Sequence, residues 1–312
     1  MIKKFFCLVC FASFLFAVDL KKEFQLLEST SPVVRRNAVA RLSRVRNKDV
    51  ISKLKELLQN DPDFGVRAQA AEALGNLRDR SATSALIKAL GDENRNVRAT
   101  AIVALGYLRD KASVKPLTDY YKTEKDVGLK ISVLNVLGVI GDISAADVLI
   151  EALSEKNPRI KTIAASSLGR LRVRKACEKL VECLKDADKN VRLYSARALG
   201  EIGNKDKKVI KALVKYLESE KDLEVKVAIA DALGKLGSEE GFEIALKAAK
   251  DKNVNIKRAG LRALTSIGKS NDDVKNVVIE AWKSSDSRIK RDAEMAASYL
   301  KIKLPKPEKE KK

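Results

Sequence analysis

Nine basic residues recur through this sequence at intervals of 31 to 34 residues: Arg35, Arg67, Arg98, Lys130, Lys161, Arg192, Lys226, Lys257 and Lys290. A long row of evenly spaced cations is the chemistry of a phosphate track. In seven of the nine cases an acid stands six residues earlier, at Asp61, Asp92, Glu124, Glu155, Asp186, Glu220 and Asp251. Charges held in a packed interface must be paired, so the same spacing fits an internal ladder that ties loops of neighbouring units together. The acids favour the ladder over the track.

Other reactive groups are scarce. Histidine is missing from all 312 residues, which removes the usual activating base for a serine nucleophile and the commonest metal ligand. No G-x-x-x-x-G-K-[ST] or G-x-G-x-x-G run is present to cradle a phosphate. Cys177 and Cys183 lie six residues apart in one helical run. Such a pair points about 240° apart and sits roughly 10 Å apart, beyond disulfide reach. Both read as small core residues beside Leu180 and Leu184. No enzyme, metal site or cofactor is expected from this inventory.

The elements that must position these residues are repeated. The phrase VRAQAAEALGNLRD, Val66 to Asp79, returns as VRATAIVALGYLRD, Val97 to Asp110, with ten of fourteen positions identical. The same register recurs at Leu129, Ile160, Val191, Val225, Ile256 and Ile289, and weakly at Val34, making nine copies. A sustained period of this length marks a solenoid, in which each unit buries its apolar face only against its neighbours.

Within each copy, Ser31, Asp63, Asn94, Asp126, Asn157, Asp188, Asp222, Asn253 or Asp286 stands four positions before the basic residue. All are good helix N-caps, so a helix, termed B, begins there. Its apolar residues fall at offsets 0, 4, 7, 8 and 11 from the Val register, as in Val97, Ala101, Ala104, Leu105 and Leu108. This is a single stripe of helical period. Glycine at offset 9 in six copies, including Gly75 and Gly200, predicts close helix approach. Gly141, Gly203, Gly237 and Gly268 sit where a left-handed cap would end the helix. A second helix, A, follows in segments such as SATSALIKAL. With only 5% aromatic residues, the chain reads as all-α.

The phrase V-R-x-x-A-x-x-A-L-G-x-[LI]-[GR]-[DN] resembles the HEAT repeat, in the short form also found in phycobilin lyases, over roughly residues 20 to 302. That resemblance implies a right-handed α-solenoid, a superhelix of about nine helix pairs with B helices lining the concave side. It also implies a scaffold rather than a particular activity.

Nearly all of the net charge of +20 falls on the B-helix segments. Beyond the ladder column, bases occupy offsets 2, 6 and 10, opposite the core stripe: Arg36, Arg44, Arg170, Arg197, Lys235, Arg258, Arg262 and Arg291. In the middle copies these offsets hold Val103, Tyr107, Ile131 and Val139. The expectation is a concave surface with basic ends and an apolar middle, suited to an acidic, partly apolar protein segment. A solvated basic face with no specific partner is the alternative. A nucleic-acid or other polyanion-binding protein is the second functional reading, although aromatic residues to stack on bases are few.

Before the repeats, two lysines precede an uncharged apolar run from Phe5 to Val18. This is too short to span a bilayer comfortably and fits a signal peptide at residues 1–17, cleaved after Ala17. An uncleaved anchor or a buried first helix is the other reading. Phe6 and Val9, preceding Cys7 and Cys10, do not suit lipidation. The solenoid spans residues 18–302, and the alternating charges and prolines of residues 303–312 read as a disordered tail. The sequence thus predicts an exported, non-enzymatic bacterial scaffold, periplasmic or extracellular, that binds an acidic protein and neither nucleic acid nor membrane interior.

Overall fold

The computed structural model describes residues 18–305, and every regular element among them is helical. The leader lies outside the described residues, as does the tail beyond Pro305. Two compact units divide the chain after Ile140. The first contains α1 (Leu20–Leu27), α2 (Pro32–Leu42), α3 (Lys48–Asn60), α4 (Phe64–Leu77), α5 (Thr83–Lys88), α6 (Arg95–Leu108), α7 (Val114–Thr123) and α8 (Val127–Ile140). The second contains α9 (Ala146–Ala152), α10 (Pro158–Arg170), α11 (Cys177–Cys183), α12 (Lys189–Ile202), α13 (Lys207–Ser219), α14 (Leu223–Lys235), α15 (Phe242–Ala249), α16 (Val254–Ile267), α17 (Asp272–Trp282) and α18 (Ser287–Tyr299). Odd-numbered helices are the A helices and even-numbered ones the B helices; among the described residues four pairs stand in the first unit and five in the second, the tandem pattern of an α-solenoid.

The B helices begin where the caps place them. Eight cap side chains accept a backbone N–H near the helix start, as Asp63 does from Val66 at 3.0 Å and Asp126 from Leu129 at 2.9 Å. Ser31 is the exception: it makes no side-chain cap bond, and its own N–H goes to Ser29 Oγ. The predicted stripe is the core. Val97, Ala101, Ala104, Leu105 and Leu108 are all buried, and truncating a leucine in such a setting costs about 2 to 5 kcal/mol.

Neighbouring B helices touch at the glycines. A Cβ on Gly75 would lie 2.9 Å from Cα of Ala104, and one on Gly200 2.9 Å from Cα of Ala232. Helix ends follow the predicted left-handed pattern at Gly203 (φ 68°) and Gly268 (φ 76°). In three repeats an arginine takes that conformation instead: Arg78 (φ 53°), Arg109 (φ 49°) and Arg172 (φ 52°). A left-handed residue with a Cβ costs about 1 to 2 kcal/mol. Cys177 and Cys183 are free and buried in the core, and burial pushes both thiols up from their ordinary range, which keeps them inert.

Candidate partner-binding surface

The basic column is built into the fold. In the first unit, Arg35 donates from Nε and Nη2 to the Asp61 carboxylate, both at 2.7 Å, and from Nη1 to the Ser29 carbonyl at 2.8 Å. Arg67 does the same to Asp92 at 2.8 and 3.0 Å and to the Asp61 carbonyl at 3.0 Å. Arg98 reaches the Asp92 carbonyl at 2.9 Å and Tyr120 Oη at 3.1 Å, and that hydroxyl donates to Glu124. In the second unit Arg192 pairs with Glu220 at 2.7 and 3.1 Å and with the Asp186 carbonyl at 2.9 Å, while Lys161 pairs with Asp186.

The register is regular. Each arginine of the column takes a main-chain carbonyl from its own repeat; Arg35, Arg67 and Arg192 also take a carboxylate from the next, and Arg98 comes within 3.8 Å of Glu124 there. The acid in turn accepts the N–H of the cap residue two positions on, as Asp61 does from Asp63 at 2.9 Å and Glu220 from Asp222 at 2.9 Å. One rung therefore fixes two loops and a helix start. Where the column holds lysine, Lys130 lies 4.5 Å from the Tyr121 ring centre and Lys290 5.5 Å from that of Trp282.

Electrostatics follow from this geometry. The Asp92 hydrogen bonds raise Arg67 above its already high value, outweighing burial. Burial pushes Glu220 up, but the Arg192 hydrogen bond and two backbone N–H groups overcome it and leave the carboxyl below its usual range. Burial and the bond to Glu124 push Tyr120 up to about 12. On the rim, the hydrogen bond from Arg95 and the N–H of Leu129 hold Asp126 down at about 2.

The residues opposite the core stripe sort differently. In the first unit Val103 is 43% exposed, Tyr107 48% and Val139 41%, with Ile131 half-buried beside them on the packed pair α6 and α8. Tyr107 lies across Gly75, whose Cβ would come within 3.2 Å of the ring. Arg36 is half-buried, its guanidinium over Gly65. Arg44 is exposed in a groove of about 680 Å³ that it shares with Arg46, Gln69, Glu72 and Asn76.

In the second unit the face is of mixed sign. Arg170 is exposed and bonded to Ser167 Oγ at 2.9 Å; Arg197 is half-buried, 5.4 Å from the Tyr194 ring centre. Arg258 donates to the buried Asp292 at 2.6 Å and is thereby committed to the fold. Arg262 and Arg291 are exposed. A groove of about 570 Å³ along these B helices is lined by Glu201, Glu224, Asp231 and Asp292 as well as by Arg197 and Arg262. Lys235 pairs with Asp231 at 2.8 Å. Glu72, Glu201 and Asp231 stand at the same offsets as the cations, so the mixed charge of this face is written in the sequence. Met295 and Tyr299, 60% and 68% exposed, also belong to this face.

The sequence model of HEAT repeats matches in overlapping stretches, residues 24–75, 51–138, 83–169, 125–187, 146–229, 178–253 and 210–298. The chain belongs to the HEAT-repeat family. Among solved structures, this HEAT-repeat chain is similar to an engineered protein at 21% identity, covering 90% of this chain and 88% of that one, with a TM-score of 0.48. It is also similar to the complex of CpcE and CpcF of phycocyanin lyase from Nostoc sp. PCC7120, at 23% identity over 72% of this chain and 91% of that one, with a TM-score of 0.44. No curated protein matches it.

Proposed function

We propose that this HEAT-repeat chain is an exported, non-enzymatic scaffold that holds a segment of another protein against the exposed face of its B helices. The observation that carries the reading is the apolar patch of the first unit, Val103, Tyr107 and Val139 with Ile131, left open to solvent where the opposite side of the same helices is fully packed. Arg36 and Arg44 stand on the same face of the same unit and favour an acidic flank on the partner. A groove for nucleic acid finds less support, because the column that would track phosphates is occupied by rungs and the second unit's groove carries acids.

The test combines fractionation of the native protein with affinity capture by the wild type and by a Val103→Ser, Val139→Ser variant. A partner retained by the wild type and lost by the variant supports the surface. Retention by both would move the contact elsewhere, and recovery of the protein in the cytoplasm would remove export from the reading.

A further inference from the structure

The first unit carries a second feature, on the loops that lead from B helices to A helices. At offsets 12 and 14 from the Val register stand Arg46 and Lys48, Arg78 and Arg80, Arg109 and Lys111, all exposed. The residue between each pair is turned inward as a cap: Asn47 accepts from the N–H of Asp49 at 2.7 Å, Asp79 from Ser81 at 2.8 Å and Asp110 from Ala112 at 3.0 Å. The three loops are contiguous. Arg46, Lys48 and Arg78 line one hollow, and Thr83 donates to Asp110 at 2.7 Å.

Two observations set this edge apart from ordinary surface charge. Arg78 and Arg109, like Arg172 in the second unit, hold left-handed backbone where Gly141, Gly203, Gly237 and Gly268 stand in other repeats, so each carries strain that glycine would relieve. Among the described residues, Arg46, Arg78 and Arg109 make no side-chain hydrogen bond or ion pair, so the fold gains no polar contact from them. The cations lie two to a loop over three loops, an array with width as well as length. No aromatic residue stands in segments 43–49, 77–82 or 108–113 to stack on a base.

From these we infer that the loop edge of the first unit is a docking surface for an anionic phospholipid bilayer, whose headgroups present negative charge in two dimensions. The attraction is electrostatic and peripheral; no helix among the described residues is long and apolar enough to cross a membrane. Basic residues near such a surface each strengthen binding about five-fold, within a Debye length.

The experiment measures co-sedimentation of the full chain with vesicles of phosphatidylcholine and phosphatidylglycerol, against phosphatidylcholine alone, which reports any contribution of residues 5–18. Arg78→Gly and Arg109→Gly should each lower partition about five-fold and together roughly thirty-fold, while urea unfolding shows them as stable as the wild type or more so. Arg78→Asn and Arg109→Asn, which also tolerate left-handed backbone, serve if the glycine variants fold poorly. Val103→Ser should leave vesicle binding unchanged, which separates this surface from the protein-binding one. Equal binding to both vesicle types, no effect of the loop substitutions, or tighter binding to duplex DNA lost in the same variants would each overturn the assignment.

Discussion

Arg67 illustrates what one side chain does in this array. Its guanidinium is nearly buried, and it binds the Asp92 carboxylate in the next repeat and the Asp61 carbonyl in its own. Arg67→Ala should destabilise by about 1 to 3 kcal/mol, since it strands Asp92 at 11% exposure. Arg262→Ala, on the exposed face, should change stability by less than about 0.5 kcal/mol. Urea unfolding of both variants checks this, and equal losses would contradict the ladder. The depressed carboxyls also set an acid limit. A carboxyl lowered by folding contributes stability above its unfolded value, and that contribution disappears as pH falls through the folded one. For Asp126 the window runs from 3.8 down to about 2, and Glu124, Asp186 and Glu220 shift in the same direction. Thermal melts should therefore change little above pH 5 and drop steeply below pH about 4.

At the scale of the helix, glycine at offset 9 makes a sharper claim than propensity does. Alanine normally favours a helix interior by about 1 kcal/mol over glycine, yet Gly200→Ala places a methyl 2.9 Å from the Ala232 backbone. The net effect should be a loss of about 1 to 3 kcal/mol as α12 and α14 separate. A gain in melting temperature would show that the helices can slide apart freely. Much of this level was legible in advance: caps, apolar offsets and glycine spacing are local signals that recur, so each copy corrects errors in the others. What stayed hidden was contact between repeats. Asp92 precedes Arg98 by six residues, yet its carboxylate serves Arg67, and spacing alone does not say which of two loops an arginine faces. The left-handed arginines were likewise invisible, because Arg78 and Arg109 sit inside a well-matched helical phrase.

For the whole molecule, far-UV circular dichroism of the purified protein should report a strongly helical chain, and appreciable sheet would contradict the repeats. The candidate surface divides into separable demands. Ile131→Ser with Val139→Ser should chiefly speed dissociation of a captured partner, because apolar contact holds the formed complex. Arg44→Glu, on the same unit as the apolar patch, should chiefly slow association and flatten its salt dependence, because an exposed charge steers encounter. Stopped-flow kinetics would read both. The apolar half of this surface was visible from sequence as Val103, Tyr107, Ile131 and Val139 at outward offsets. The charge of the second unit's face was only partly so, because Arg258 and Lys235 stand at outward offsets yet answer Asp292 and Asp231.

The direction of the rungs carries one more implication. Every observed rung runs forward, from a base to an acid 25 to 28 residues later. Excising one full period, residues 64–94, would leave Arg35 facing Asp61 and Arg98 facing Glu124, with Asp63 now capping the helix that starts at Arg95. No charge would be orphaned by such a cut, whereas a deletion out of phase would strand one. Copy number can therefore drift by whole modules, making this a chain whose length is adjustable without redesign.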